Sequence, residues 1–99
     1  MNIRHDLTES RFVALSEDLD NLGSIVYDVE ADGNLSALSV HVAPQMQGRG
    51  IAGSLLDALV GYARKHRLKI FPVCPYVVKK FQQHPDQYGD VNGALPPKP

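Results

Sequence analysis

Two segments in the first third of the chain are strand-like, the second by alternation. Arg11 to Leu15 is a short apolar run, and Ser24 to Glu30 sets Ile25, Tyr27 and Val29 against polar neighbours before an Ala31-Asp32-Gly33-Asn34 turn. Asp-Gly between two strand patterns predicts a tight hairpin, with Leu35 to Val42 (LSALSVHV) as the returning strand. Alternation puts Leu38, Val40 and Val42 on one face of that strand and Leu35, Ala37, Ser39 and His41 on the other. The second face is small, so something packs closely or binds there.

From Ile51 the period changes. Ile51, Leu55, Leu59 and Ala63 recur at helical spacing, and Ala52, Leu56 and Val60 widen the stripe, which predicts a helix from about residue 49 to His66. Arg64, Lys65 and His66 close it, where cations favour the carbonyl end of the dipole. Leu68 to Val73 (LKIFPV) reads as a short strand, and Cys74-Pro75 opens a second helix through about Gln83, with Pro75 at the first helical position. His84 precedes a proline, so His84 to Tyr88 reads as a chain corner with Tyr88 packing back. Asn92 to Pro99, with three prolines and a glycine, reads as a flexible tail behind a single domain spanning residues 1–91. The order implies an α/β (α+β) sandwich.

Ninety-nine residues leave room for one domain, and 43% hydrophobic with 21% charged residues describes an ordinary globular chain. No apolar run is long enough for a membrane span. The opening MNIRHDLT carries no apolar run after its arginine, so no signal peptide is expected, and the reading is cytoplasmic. A lone cysteine, Cys74, makes no internal disulfide; it is either buried filler or chemistry. The net charge of -1 hides an asymmetry. Residues 1–35 hold eight carboxylates and two arginines, a net -6, and the remainder is +5. A basic second part in an acidic chain suits a small polyanion better than a nucleic acid.

The segment that carries chemistry runs from Val42 through Ala43-Pro44-Gln45-Met46 into Gln47-Gly48-Arg49-Gly50-Ile51-Ala52-Gly53. A helix begins inside it, so unpaired N–H groups face outward at the positive helix end with little side chain in the way. A pyrophosphate could sit there directly, with Arg49 as a nearby cation. Tight strand-to-helix packing would ask for the same glycines. Gly48, Gly50 and Gly53 spell G-x-G-x-x-G, yet the acidic residue expected about 20 positions on is absent, Ile70 to Cys74 standing there instead. The Gly-Lys-Ser/Thr of a nucleotide-hydrolase loop is also missing.

Val42-x-Pro44-x-x-Gln47-x-x-Gly50-x-Ala52, after a hairpin and opening a long amphipathic helix, resembles the acetyl-CoA loop of the GNAT acetyltransferase superfamily. Cys74-Pro75-Tyr76 and His84-Pro85-Asp86-Gln87-Tyr88 extend the resemblance, from Gly23 through Val91, to its very small single-domain group. The resemblance implies a mixed, mostly antiparallel sheet with helices, splayed open after the Leu35 to Val42 strand to admit the pantetheine arm. It places the diphosphate of acetyl-CoA on Gln47 to Gly53, just past Val42. Backbone N–H groups of Gly48, Gly50 and Ala52 would be donors, within a stretch that includes Ile51 and Gly53, and Gln47 and Arg49 would contribute side chains. Leu38 and Ser39 stand where small relatives often have a histidine or an acid.

Cys74 at the N-cap of a helix is where a thiolate is favoured. It is expected to take the acetyl group as nucleophile or to line the pocket of the thioester sulfur. The Tyr76 hydroxyl could hydrogen-bond the leaving thiolate or the acyl oxygen, and His41 could deprotonate the incoming amine. His5, His41, His66 and His84 show no metal-ligand spacing with Cys74. The expectation is an N-acetyltransferase moving acetyl from acetyl-CoA to an amine, a protein lysine or small polyamine, without nucleic-acid or membrane partners. A catalytically silent acyl-CoA-binding or sensing module is the alternative.

Overall fold

The computed structural model describes residues 1–94. Its sheet has five strands in sequence order: β1 (Asn2–Asp6), β2 (Arg11–Leu15), β3 (Asn21–Val29), β4 (Leu35–Val42) and β5 (Ile70–Pro72). The first four pair antiparallel and β5 joins β4 in parallel. The parallel pair requires a crossover, which α1 (Ile51–His66) supplies. The chain then closes with α2 (Pro75–Gln83) and the single turn α3 (Pro85–Tyr88), which takes up the expected corner.

The strand β1 is not visible as an apolar pattern because its inward positions are Ile3 and a histidine. His5 stacks on Phe12, its β2 partner, with ring centroids 4.0 Å apart. Its Nε2 shares a 2.6 Å hydrogen bond with the Tyr27 hydroxyl, and Tyr62 of α1 packs edge-on at 4.6 Å. Burial, the largest influence, lowers the pKa of His5; Asp6 opposes that and His66 adds to it.

The central strand departs from simple alternation. Val26 pairs with Ser39 but Tyr27 with Ala37, so Leu38 is an extra residue, a β-bulge. One inserted residue turns the rest of the strand over. Leu35 and Ala37, buried under α1, therefore share their face with Val40 and Val42, which correspond across the ladder to Ile25 and Gly23. The expected grouping of Leu38 with Val40 and Val42 is corrected: Leu38 is exposed, and Ser39 and His41 lie on the opposite face.

The apolar stripe of α1 (Ile51, Leu55, Leu56, Leu59, Val60, Ala63) packs on the first face, in one core with Val77 and Phe81 of α2 and Tyr88 of α3. Arg64 clasps both Asp90 carboxylate oxygens, at 2.8 and 3.1 Å, and holds the end of α1 to the segment after α3. The opposite face carries Arg4, Asp6, Arg11, Ser24, Ser39 and His41, and among the described residues no helix covers it. Asn92 and Gly93, assigned from sequence to the tail, are anchored to β5: Asn92 bridges Ile70, and the Gly93 N–H donates to the Ile70 carbonyl at 2.8 Å. The rest of that segment, 95–99, lies outside the described residues. No helix among the described residues is long and apolar enough to cross a membrane.

Candidate active site

The β4–α1 connection is built to leave backbone donors free. Pro44–Met46 forms a 3-10 turn, Gln47 is extended, and Gly48 and Gly50 take φ values of 81° and 78°. Nothing lies within 4 Å of where a Cβ would stand at either glycine, so glycine is required there by backbone conformation and not by crowding. Gly50 caps α1 without any side-chain acceptor, and the first intrahelical bond runs from the Ser54 N–H to the Gly50 carbonyl at 3.1 Å. The N–H groups of Ile51, Ala52 and Gly53 thus have no helical partner. They stand at the positive end of a sixteen-residue helix.

Those donors open onto a cavity of about 400 Å³, a volume suited to a cofactor-sized ligand. Its walls include Val40 and Val42 of β4, Met46 to Gly48 of the loop, Gly50 to Gly53 of α1, and Tyr76 of α2. Of the residues singled out in the sequence, the structure gathers Val42, Gln47, Gly48, Gly50, Ile51, Ala52, Gly53 and Tyr76 around this one space. Arg49 is exposed on the loop but is not part of the lining. Val40 and Met46 are additions. Val40 was hidden by the bulge, and Met46 by a turn that no periodicity announces.

The sheet opens at the same place. β5 pairs with β4 only over Leu35 to Ala37, and the Ala37 carbonyl accepts from both Val73 (3.1 Å) and Cys74 (2.9 Å). Past it, the β5-side edge of β4 from Leu38 to Val42 has no strand partner among the described residues. Tyr76 faces α1 across this opening, its hydroxyl 3.8 Å from a Cβ built at Gly53. Burial, the largest influence, raises the pKa of that phenol, and Asp57 and Cys74 push it the same way. Tyr88 donates a long 3.5 Å bond to Asp57 one turn further along α1.

Two candidates stand elsewhere. Cys74 is 7% exposed at the N-cap of α2 and belongs to the apolar core; its side chain makes no capping bond and does not line the cavity. His41 corresponds to Ser24 across the ladder on the helix-free face, so its expected grouping with Leu35 and Ala37 is corrected, and it does not line the cavity. Among the described residues no three His, Cys, Asp or Glu side chains gather as metal ligands would.

A family model described as GCN5-related N-acetyl-transferase matches residues 11–91. The chain belongs to that family. It is an acetyl-CoA-dependent acetyltransferase, with the small single-domain GNAT architecture that its motifs resemble. The solution structure of a GCN5-like protein from Staphylococcus aureus is similar over 96% of this chain and 90% of its own, with a TM-score of 0.72 and 26% identity. A GNAT-family acetyltransferase of Staphylococcus aureus Mu50 shares the fold at a TM-score of 0.61 and 12% identity, covering 95% of this chain and 66% of that one. A ribosomal-protein-alanine N-acetyltransferase of Brucella melitensis shares it at 0.58 and 19%, covering 90% and 64%. No curated protein matches the chain.

Proposed function

We propose that the chain transfers acetyl from acetyl-CoA directly to a primary amine, a protein lysine or a small polyamine, in the cytoplasm. In this reading the diphosphate rests on the N–H groups from Gly48 to Gly53, with Gln47 beside it and Arg49 as a screening cation. The pantetheine arm follows the unpartnered edge of β4 past Val42 and Val40. The observation that carries the reading is the uncapped amino end of α1 opening onto a cavity that Tyr76 closes.

The chemistry then follows from the residues at each end. The amine nitrogen attacks the thioester carbonyl carbon, the C–S bond breaks, and its electron pair goes to sulfur. The Tyr76 hydroxyl gives sulfur a proton and recovers one through water from the acylated nitrogen. A phenol whose pKa is raised by burial is held protonated at neutral pH, the form this step needs. Among the described residues no carboxylate or imidazole lines the cavity, so in this reading the amine leaves its first proton to water before it arrives. Cys74 sits at the edge of the thioester end, as neighbour to Tyr76 and not as nucleophile, because its side chain is packed in the core.

Calorimetric titration with CoA, acetyl-CoA and NAD tests the binding half: both CoA species bind with similar affinity and NAD is silent. Release of free thiol from acetyl-CoA in the presence of lysine peptides or spermidine tests the chemical half. Binding without any turnover would leave the silent acyl-CoA module as the correct account.

A further inference from the structure

Where β5 meets the β3–β4 hairpin, the helix-free face changes character. The register sets Asp28 against Ser36 and Ser36 against Phe71, and a cavity of about 500 Å³ is lined there by Glu30, Ala31, Asp32, Ser36 and Phe71. Phe71 is 39% exposed, Leu38 42% and Val73 57%. Exposed apolar side chains grouped beside a cavity mark a surface that something covers.

The outer edge of β5 is a poor template for an added strand. Ile70 spends its N–H on the Val91 carbonyl and its own carbonyl on Gly93, and Pro72 has no N–H to offer. Whatever binds must therefore use side chains. The charges present say of which sign. Glu30 accepts from the Ser36 hydroxyl, Asp32 from Asn34, and Asp28 from the Val29 N–H. Among the described residues none of these carboxylates has a cationic partner. Lys69, whose own N–H donates to the Asn34 side chain, turns its ammonium to the Asp90 carbonyl instead. Apolar surface rimmed by unneutralised carboxylates complements a segment that mixes cationic and apolar side chains.

The position is also informative. Ser36 precedes Ala37, the residue at which β4 and β5 part, and Phe71 lies three residues before Cys74, about 10 Å at ~3.3 Å per residue. Resting on the acetyl-transfer reading above, we infer that Leu38, Phe71 and Val73, with Glu30 and Asp32, dock a lysine-bearing segment of another protein. The segment is cationic and apolar, and its target lysine reaches the β4–β5 opening. A polyamine would satisfy the carboxylates but leave the apolar patch bare at its flanks.

The test uses three probes against the full chain saturated with CoA: a lysine peptide flanked by arginine and leucine, the same peptide with serine for leucine, and spermidine. Amide shifts in the isotope-labelled protein report docking, and acetylation is assayed separately with acetyl-CoA. The leucine peptide is expected to shift Glu30, Asp32, Phe71 and Val73. Its KM rises about tenfold or more in the Glu30→Gln/Asp32→Asn double variant and in Phe71→Ser, with kcat and CoA affinity as in the parent. Asp32→Asn alone keeps an oxygen for the Asn34 N–H and serves if the double variant fails to fold. Unchanged KM values, peptide shifts elsewhere, or spermidine and the serine peptide performing as well as the leucine peptide would overturn the docking surface. Docking shifts without acetylation of any amine would sustain the surface and overturn the transfer reading; acetylation with a silent surface would do the reverse.

Discussion

The N–H of Cys74 donates to the Ala37 carbonyl at 2.9 Å, and this bond, beside that from Val73, is the last tie between β4 and β5. The same contact that ends strand pairing thus starts α2. It fixes how far Tyr76, two residues on, stands from the opening, so sheet divergence and the placement of the phenol are one structural event.

The loop glycines separate conformation from space. Gly53 lies in the first turn of α1 with only an ordinary contact to the Tyr76 hydroxyl, so Gly53→Ala is expected to raise stability by about 0.5–1 kcal/mol through helix propensity. Gly53→Glu, which fills the cavity wall, abolishes CoA binding without lowering the melting temperature. Gly50→Ala must hold φ 78° and costs about 1–2 kcal/mol. Chemical denaturation of the free proteins and CoA titration check all three, and a Gly53→Glu variant that binds CoA normally would remove this cavity from the account.

Tyr76→Phe keeps the ring and removes the proton. Its kcat for acetyl transfer is expected to fall by about 100-fold or more, with CoA affinity within a factor of about two of the parent. A fall in affinity instead, at constant kcat, would mean that the hydroxyl only binds the cofactor.

How much of this was legible beforehand depended on whether local pattern or long-range pairing set each feature. The helices α1 and α2 were legible because Ile51 to Ala63 keep one period and Pro75 marks a start. The turn-rich β4–α1 loop was legible because Gly48 and Gly50 carry a conformation that other residues avoid. By contrast, β1 depends on His5 filling an apolar position by stacking on Phe12, which no hydropathy pattern reports. The bulge at Leu38 is a mismatch between two strands and leaves no mark within either one. That single residue is why Val40 belongs to the cavity wall and His41 does not.

His5 gives a pH dependence whose sign can be worked out. Its pKa is lowered in the folded state, mainly by burial, so below pH ~6.5 the unfolded chain binds the proton first. Stability is full well above that value and falls as pH drops through it towards the folded-state pKa. His5→Phe retains stacking on Phe12 but orphans the buried Tyr27 hydroxyl, costing about 1–3 kcal/mol at pH 8. The same variant flattens the decline between pH 7 and 5. Urea melts across that range check both parts, and an equally steep decline in the variant would assign the dependence to other groups.

Cys74 decides between direct and covalent transfer. Its side chain lies in the core with Val77 and Phe81 and off the cavity wall, so Cys74→Ala removes packing more than chemistry. The variant is expected to lose about 1 kcal/mol of stability and to keep most of its kcat. Mass spectrometry of the parent protein after incubation with acetyl-CoA, without acceptor, should show no added acetyl group. An acetyl adduct on Cys74, together with loss of turnover in both Cys74→Ala and Cys74→Ser, would establish the acyl-cysteine route. Tyr76 would then act on the sulfur of CoA in the first half-reaction only, and the acceptor would meet the acetyl group at the amino end of α2.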